Sequence, residues 1–212
     1  MEMILGRKEL VMGSSTISNV SCITIDLDWA IDSEIFYMLD ILSSYDIRST
    51  IFCTHLIDFS NFKEHELAIH PNFLFQYKKS DGDILKSIMK LYPDAVGVRS
   101  HCLYRHSRLL PMFKESGIMY ESNYFIPYKV VEPFFLDNGI LEIPIYFGDD
   151  SKIQTNVEPE GFKVYMFHPS NVFKNYNGAY DKLCSTLDNL KNKNISILTM
   201  KEVSDECNKG YR

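Results

Sequence analysis

The sequence lacks the features that typify membrane proteins and nucleic-acid-binding proteins. Its longest apolar runs are far shorter than the roughly 20 residues that a membrane-spanning helix needs. It contains no cluster of basic residues, and its formal net charge is -6, so the composition argues against a nucleic-acid partner. Residues 1–10 include acidic side chains and no long apolar core, so we expect no signal peptide.

Cysteines are few and scattered along the chain. None of them forms a C-x-x-C pair, which argues against a zinc site built from cysteine. With an odd number of cysteines and no export signal, we expect reduced thiols and a cytoplasmic protein. The five cysteines are Cys22, Cys53, Cys102, Cys184 and Cys207.

The length and composition indicate one folded domain. The chain has 212 residues, of which 45% are hydrophobic and 13% aromatic, values that are typical of a protein with a substantial core. We found no internal repeat and no linker, so we predict a single domain over residues 1–212, with residues 1–18 as a lead-in segment.

Predicted strands alternate with predicted helices along the chain. Short β-branched runs predict strands, and apolar residues at helical spacing predict helices. The expected strands lie at residues 20–26, 49–54, 66–70, 95–99, 118–120, 163–167 and 195–199. The expected helices lie at about 32–45, 81–92, 107–116, 179–193 and 201–208, and short β segments are expected within 124–146. This alternation predicts an α/β protein with a parallel sheet or barrel.

Polar side chains follow the ends of several of these strands. Asp26 and Asp28 come at the end of the first strand, and because side chains alternate along an extended chain, both face the same way. A metal ion, a basic partner, a general-base role or capping of the next helix would each explain this pair. The other strands end in His70, in Arg99 and His101, and in His168. The carboxyl ends of the strands of a β/α barrel converge on one face, where active sites lie.

The order of these motifs resembles that of the polysaccharide deacetylases of the NodB-homology type, carbohydrate esterase family 4. The resemblance covers about residues 20–200, and the E-I-P…D-D and H-P-N variants are similar to the WbmS-like branch found with O-antigen biosynthesis. It implies a deformed (β/α) barrel of about seven strands. The matching motifs are I-D-L-D-W at 25–29, S-T-I-F at 49–52, E-L-A-I-H-P-N at 66–72, G-V-R-S-H at 97–101, I-P-I-Y-F-G-D-D at 143–150 and M-F-H-P-S-N at 166–171.

The resemblance also implies catalytic roles for particular residues. Asp26 would be the general base that activates the attacking water, and Arg99 would pair with it and aim it. His168 would be the general acid that protonates the leaving amine. Either Asp149 or Asp150 would orient the ring of His168.

A divalent metal ion is the cofactor that the resemblance implies. Zinc is the ion we expect, with cobalt, nickel or iron as other first-row candidates. Asp28 and His70 would be ligands, but Leu74 stands where the family places its second histidine. The third ligand is therefore open at this point. We favour His101 over the two other candidates, Asn72 and His106.

The expected substrate is an N-acetylated sugar or a sugar-linked intermediate. Aromatic rings stack well on the apolar face of a sugar, so Trp29, Tyr124 and Tyr146 are candidate contacts, and Asn72 and Asn171 are further substrate-binding candidates. Because we expect no export signal, a nucleotide-linked or lipid-linked sugar fits better than mature cell-wall polymer. His55 and His65 flank an acidic, aromatic stretch and are expected on loop surface.

The resulting hypothesis is a metal-dependent hydrolase that removes an N-acetyl group from a sugar in glycan biosynthesis of the O-antigen type. One alternative is a related hydrolase that cleaves another amide or an ester. A second is a catalytically inactive carbohydrate-binding homologue, which Leu74 motivates.

Overall fold

A computed structural model describes residues 19–74, 79–151 and 159–210 of the chain. The predicted lead-in segment, residues 1–18, lies outside the described residues. None of the helices in this described part is both long and apolar enough to cross a membrane.

One sheet organises the described part of the chain. The ten strands within the described residues are β1 (Val20–Asp26), β2 (Thr50–Cys53), β3 (Glu66–Ile69), β4 (Gly97–Val98), β5 (Tyr120–Glu121), β6 (Phe134–Phe135), β7 (Leu141–Glu142), β8 (Phe147–Gly148), β9 (Lys163–Phe167) and β10 (Ser196–Ile197). Their order in the sheet is β6-β7-β5-β4-β3-β2-β1-β9-β8, with β10 beside the start of β1, and every pairing is parallel except that of β6 with β7.

The predicted α/β class and deformed barrel are confirmed, because the sheet curls into a partial barrel with helices around it. The sequence predicted about seven strands, and the structure has ten within its described residues. Six of them are only two residues long. A two-residue strand is too short to show an alternating pattern. The sequence therefore did not separate β6 and β7 within the predicted β region at 124–146, and it did not predict β8 just beyond that region.

All of the described helices but the last lie between successive strands along the chain. Their bounds are α1 (Asp32–Ser44), α2 (Asp81–Met89), α3 (Leu109–Glu115), α4 (Pro169–Phe173), α5 (Ala179–Asn192) and α6 (Met200–Gly210), with 3-10 helices at His101–Leu103 and Tyr176–Gly178. The sequence missed α4, which has only 5 residues and is therefore too short to show helical periodicity. Helix α1 begins at Asp32, directly after Ile31, and the Glu34 carboxylate accepts the backbone N–H of Ile31 at 3.3 Å.

The central strand β1 is buried along its whole length and has two different faces. Ile23 and Ile25 face the layer that includes α1, where they pack with Ile35 and Leu39. Val20 and Cys22 belong to the cluster inside the barrel. Because side chains alternate along a strand, the even-numbered residues of β1 point into the barrel, and this face continues to Asp26 at the carboxyl end of the strand.

Candidate active site

Because side chains alternate along a strand, the polar residues at the ends of several strands point to the inside of the barrel. Ala68 in β3 and Met166 in β9 belong to the interior cluster, so residues two further on, His70 and His168, point the same way just past the strand ends. Asp26 reaches this place from β1. Since these strands are parallel, their carboxyl ends lie at one edge, and the residues that were separate in the sequence meet there.

Asp28, His70 and His101 form a compact cluster at this edge. The Asp28 Oδ2 atom lies 2.9 Å from His70 Nε2, and its Oδ1 atom lies 2.8 Å from His101 Nδ1. One donor atom from each residue lies within 4.8 Å of the others. Burial by itself raises the pKa of Asp28, but its hydrogen bonds to the two histidines and their charges outweigh burial and lower that pKa below 3.8.

The donor set of this cluster fits a divalent metal ion. Two imidazole nitrogens and one carboxylate are ligands that zinc and other first-row ions accept, and three protein ligands leave a position open for water or substrate. His101 supplies the third group, from the 3-10 helix that follows β4. Of the two other candidates, His106 does not belong to the cluster of histidine and acidic groups that the described residues form, and the Asn72 Oδ1 atom accepts the backbone N–H of Leu74 at 3.1 Å.

A second set of contacts fixes Asp26. Arg99 is fully buried, and its Nη1 donates to Asp26 Oδ1 at 2.6 Å and to Thr24 Oγ1 at 2.8 Å. Its other nitrogens donate to the backbone oxygen and the hydroxyl of Ser122 at 3.1 and 2.9 Å. The guanidinium lies 4.2 Å from the centre of the Phe52 ring. Asp26 and Arg99 therefore form a buried ion pair in which the carboxylate has a fixed direction.

A third set of contacts fixes His168. The Asp149 carboxylate accepts the His168 backbone N–H at 2.7 Å and contacts its Nδ1 at 2.8 Å. Of the two aspartates left open by the sequence, Asp149 is the one on the ring, while Asp150 is exposed and lines the cleft. Burial lowers the pKa of His168, but Asp149, Asp26 and Asp28 raise it more strongly, to about 9.

These groups open onto two clefts that meet at Trp29. The first has a volume of about 410 Å³ and is lined by Asp26, His168 and Asn171, among others. The second has a volume of about 440 Å³ and includes His70 and Asn72. Both clefts share Asp28, Trp29 and His101.

Trp29 presents an exposed aromatic ring at the edge that the two clefts share. Its side chain is 76% exposed, and its ring stands edge-on to that of His101, with the ring centres 5.6 Å apart. Its φ of 58° lies in the left-handed region, which a bulky residue seldom adopts and which usually marks a constrained position. Tyr124, a further stacking candidate, is 37% exposed and lies against Arg105, whose guanidinium stacks over its ring at 4.3 Å.

Two sequence predictions need correction. Tyr146, expected at the substrate, is 3% exposed, and its ring packs against Tyr128 and Tyr165 in the core. Its position at the end of a short aromatic segment gave no sign of which side it faces. His65, expected on the surface, is buried, and its Nδ1 accepts the backbone N–H of Ser49 at 3.0 Å. His55, with a side chain 45% exposed, is on the surface as predicted.

Thr24 and Ser122, which accept hydrogen bonds from Arg99, were not predicted from the sequence. Thr24 lies on the inner face of β1 two residues before Asp26, so strand alternation was the signal that could have found it. Ser122 follows β5, and the sequence contains no pattern that links it to Arg99.

Comparison with known proteins places this geometry in context. The family model described as "WbmS-like: Polysaccharide deacetylase" matches residues 23–183. Among solved structures, a Bordetella bronchiseptica protein proposed to be a polysaccharide deacetylase involved in O-antigen biosynthesis is 26% identical, covers 79% of each chain and has a TM-score of 0.67. No protein with curated annotation matches the chain.

Two more distant structures share the fold. The catalytic domain of a peptidoglycan N-acetylglucosamine deacetylase from Eubacterium rectale is 14% identical over 85% of this chain and 88% of that one, with a TM-score of 0.54. A mutant of a family 4 carbohydrate esterase pseudoenzyme with restored activity is 13% identical over 89% of this chain and 68% of that one, with a TM-score of 0.53. The same fold therefore occurs in the catalytic domain of a deacetylase and in a mutant of a pseudoenzyme.

Proposed function

Because the chain belongs to the WbmS-like family of polysaccharide deacetylases, we propose that it is a metal-dependent hydrolase that removes an N-acetyl group from a sugar. The observation that carries this proposal is the meeting of three units where the two clefts adjoin: the Asp28–His70–His101 cluster, the Asp26–Arg99 pair and the His168–Asp149 pair. A role in glycan biosynthesis of the O-antigen type is supported by the Bordetella bronchiseptica relative.

The metal ligands in this proposal are Asp28, His70 and His101. Zinc is the ion we favour, since two imidazoles and a carboxylate suit it. When bound, such an ion polarises the amide carbonyl and makes water a stronger nucleophile. The lowered pKa of Asp28 keeps its carboxylate ionised, as a ligand must be.

Asp26 acts on the water that attacks the amide. The water oxygen bonds to the carbonyl carbon, and its proton passes to the Asp26 carboxylate. The buried contact with Arg99 at 2.6 Å holds that carboxylate in one direction, so little reorientation is needed when the proton moves.

His168 acts on the leaving group. As the C–N bond breaks, the protonated ring gives its proton to the sugar nitrogen, and the products are acetate and an amine. The raised pKa, about 9, means that the ring carries this proton at neutral pH. Asp149 stays on Nδ1, which leaves Nε2 as the nitrogen that donates.

The sugar binds across the shared edge of the two clefts. Trp29 offers an exposed ring to an apolar sugar face. Asn171 in the first cleft and Asn72 in the second offer side-chain amides for sugar hydroxyls. Tyr146 has no part in this proposal because its ring is buried.

The test combines elemental analysis with an acetate-release assay on a panel of N-acetylated sugars. We expect about one equivalent of metal in the native protein, loss of metal and activity in His70→Ala and His101→Ala, and metal without activity in Asp26→Asn. His106→Ala is the matched control, because His106 lies outside the cluster, and it is expected to keep both.

Other results would favour the two alternatives. Bound metal with release of a different acid from an ester or another amide would indicate a related hydrolase. Protein that binds sugar but neither holds metal nor releases acetate would indicate an inactive homologue, for which Leu74 in the family's histidine position is the motivating feature.

A further inference from the structure

Lys182 interrupts the apolar stripe by which α5 packs onto the barrel. The buried residues of this helix are Ala179, Lys182, Leu183, Leu187 and Leu190. Lys182 itself is 8% exposed. Lysine is almost never this buried unless a partner compensates its charge. Its position therefore requires an explanation from its contacts.

Those contacts are two backbone oxygens of one turn. The Lys182 ammonium donates to the Asp149 oxygen at 2.8 Å and to the Ser151 oxygen at 2.9 Å. Both partners are carbonyl groups rather than carboxylates, so the lysine serves here as a double donor to the backbone. Two carbonyls of a turn that face a packed helix need such a donor, because a carbonyl that is shielded from water and left unpaired is costly.

The same turn carries the carboxylate that holds His168. Two backbone hydrogen bonds fix this turn as well. Asp149 N–H donates to the Met166 oxygen in β9 at 3.0 Å, and within the turn Ser151 N–H donates to the Gly148 oxygen at 3.0 Å. Asp149 therefore stands between Lys182 on one side and His168 on the other. Its carbonyl is held by the lysine, and its carboxylate holds the ring and backbone of the histidine.

We propose that Lys182 is a positioning residue for the reaction: by holding the Asp149 and Ser151 carbonyls, it keeps the Asp149 carboxylate on His168. This inference rests on the proposed function only for its catalytic consequence. The positioning itself is a property of the folded protein, independent of any turnover.

The experiment measures the pKa of His168 by NMR in the purified protein and in Lys182→Met, with equal metal content. The charged groups that set this pKa are Asp149, Asp26 and Asp28. If Lys182 positions Asp149, the carboxylate leaves the ring in the variant and the pKa of His168 falls by about one unit or more. If Lys182 contributes only a nearby positive charge, removing it raises that pKa, which overturns the proposal.

Four further variants make the result decisive. Asp149→Asn measures how far the pKa of His168 falls when the carboxylate is lost completely. The double variant of Lys182→Met and Asp149→Asn should give the same fall, because Lys182 acts on His168 only through Asp149. Lys191→Met removes an exposed lysine from the same helix and should leave the pKa of His168 unchanged. If Lys182→Met does not fold, Lys182→Gln, which keeps a neutral donor, should give a smaller fall in the same direction.

The catalytic consequence is measured separately. With an N-acetylated sugar that the native enzyme hydrolyses, Lys182→Met should lower kcat by about 10- to 100-fold with KM little changed, since a misplaced general acid acts on the transition state. Unchanged kcat together with a lowered pKa of His168 would contradict the role of His168 as the acid and leave Lys182 as its positioning residue. Unchanged pKa and unchanged kcat would overturn the inference.

Discussion

At the scale of single residues, the chemistry of this site depends on partners that fix each side chain. Asp26 is held by Arg99, and His168 is held by Asp149, with distances of 2.6 and 2.8 Å. The two pairs have opposite character, because one presents a carboxylate that can accept a proton and the other a ring that carries one. Such a division between base and acid is what hydrolysis of an amide requires.

The first prediction concerns pH. His168 must be protonated to act as an acid, so kcat should fall as the pH rises through its pKa of about 9, or somewhat lower with a cation bound nearby. Asp149→Asn removes the carboxylate that raises this pKa, so the falling limb should move to lower pH by about one unit or more. A pH–rate profile measures this. An alkaline limb that stays in place in the variant would contradict the assignment of the acid.

At the scale of elements, a glycine in β4 allows a side chain of β5 to reach across β4 to β3. Gly97 in β4 pairs with Tyr120 in β5, and the Tyr120 ring lies where a side chain at Gly97 would be. The Tyr120 hydroxyl thereby reaches across β4 and donates to Glu66 Oε1 in β3 at 2.6 Å. Because Gly97 has no side chain, a hydrogen bond can link β5 to β3 across β4, which is the strand that ends just before Arg99.

The second prediction follows from this packing. Gly97→Ala places a methyl group inside the space of the Tyr120 ring, so the ring must shift and the free energy of unfolding should fall by about 1–3 kcal/mol. Urea unfolding measures it. Gly82→Ala is the control, because a methyl group there meets no neighbour closer than 3.7 Å and alanine favours helix by about 0.5–1 kcal/mol. Equal stability of Gly97→Ala and native protein would show that Tyr120 can move without cost.

At the scale of the whole molecule, the proposed metal ligands come from parts of the chain that are far apart in sequence. Asp28 follows β1, His70 follows β3 and His101 follows β4, at separations of 42 and 73 residues from Asp28 along the chain. In an unfolded chain these three side chains are not held close to one another. A ligand that binds all three residues therefore binds the folded state and stabilises it.

The third prediction is a metal-dependent melting temperature. Free zinc at about 100 times its Kd should add about 2.7 kcal/mol of stability, which is a rise in Tm of about 5–10 °C for a protein of this size. Thermal unfolding with zinc and with a chelator measures the shift. His70→Ala should abolish it, and a shift of equal size in that variant would mean that zinc acts elsewhere on the protein.

The sequence by itself determined the class of the fold and the approximate site. The β-branched run of β1 and the alternation of strands with helices are local patterns, set by backbone geometry within a few residues. Alternation along a strand also indicated that Asp26 and Asp28 face the same way, and the order of the motifs identified the family. The strand and helix patterns depend on neighbouring residues, and the order of the motifs follows directly from the chain. No contact between distant residues was needed to infer any of them.

The tertiary structure alone decided how these residues meet. In the folded chain the His101 Nδ1 atom lies beside Asp28, and Asp149 rather than Asp150 contacts the His168 ring. The Tyr146 ring lies in the core. Lys182 lies against the turn that carries Asp149. Each of these contacts joins segments that are far apart in the chain, and the register and curvature of the sheet determine them. A local pattern contains no information about register or curvature, which is why the sequence predicted the candidates and only the folded chain selected among them.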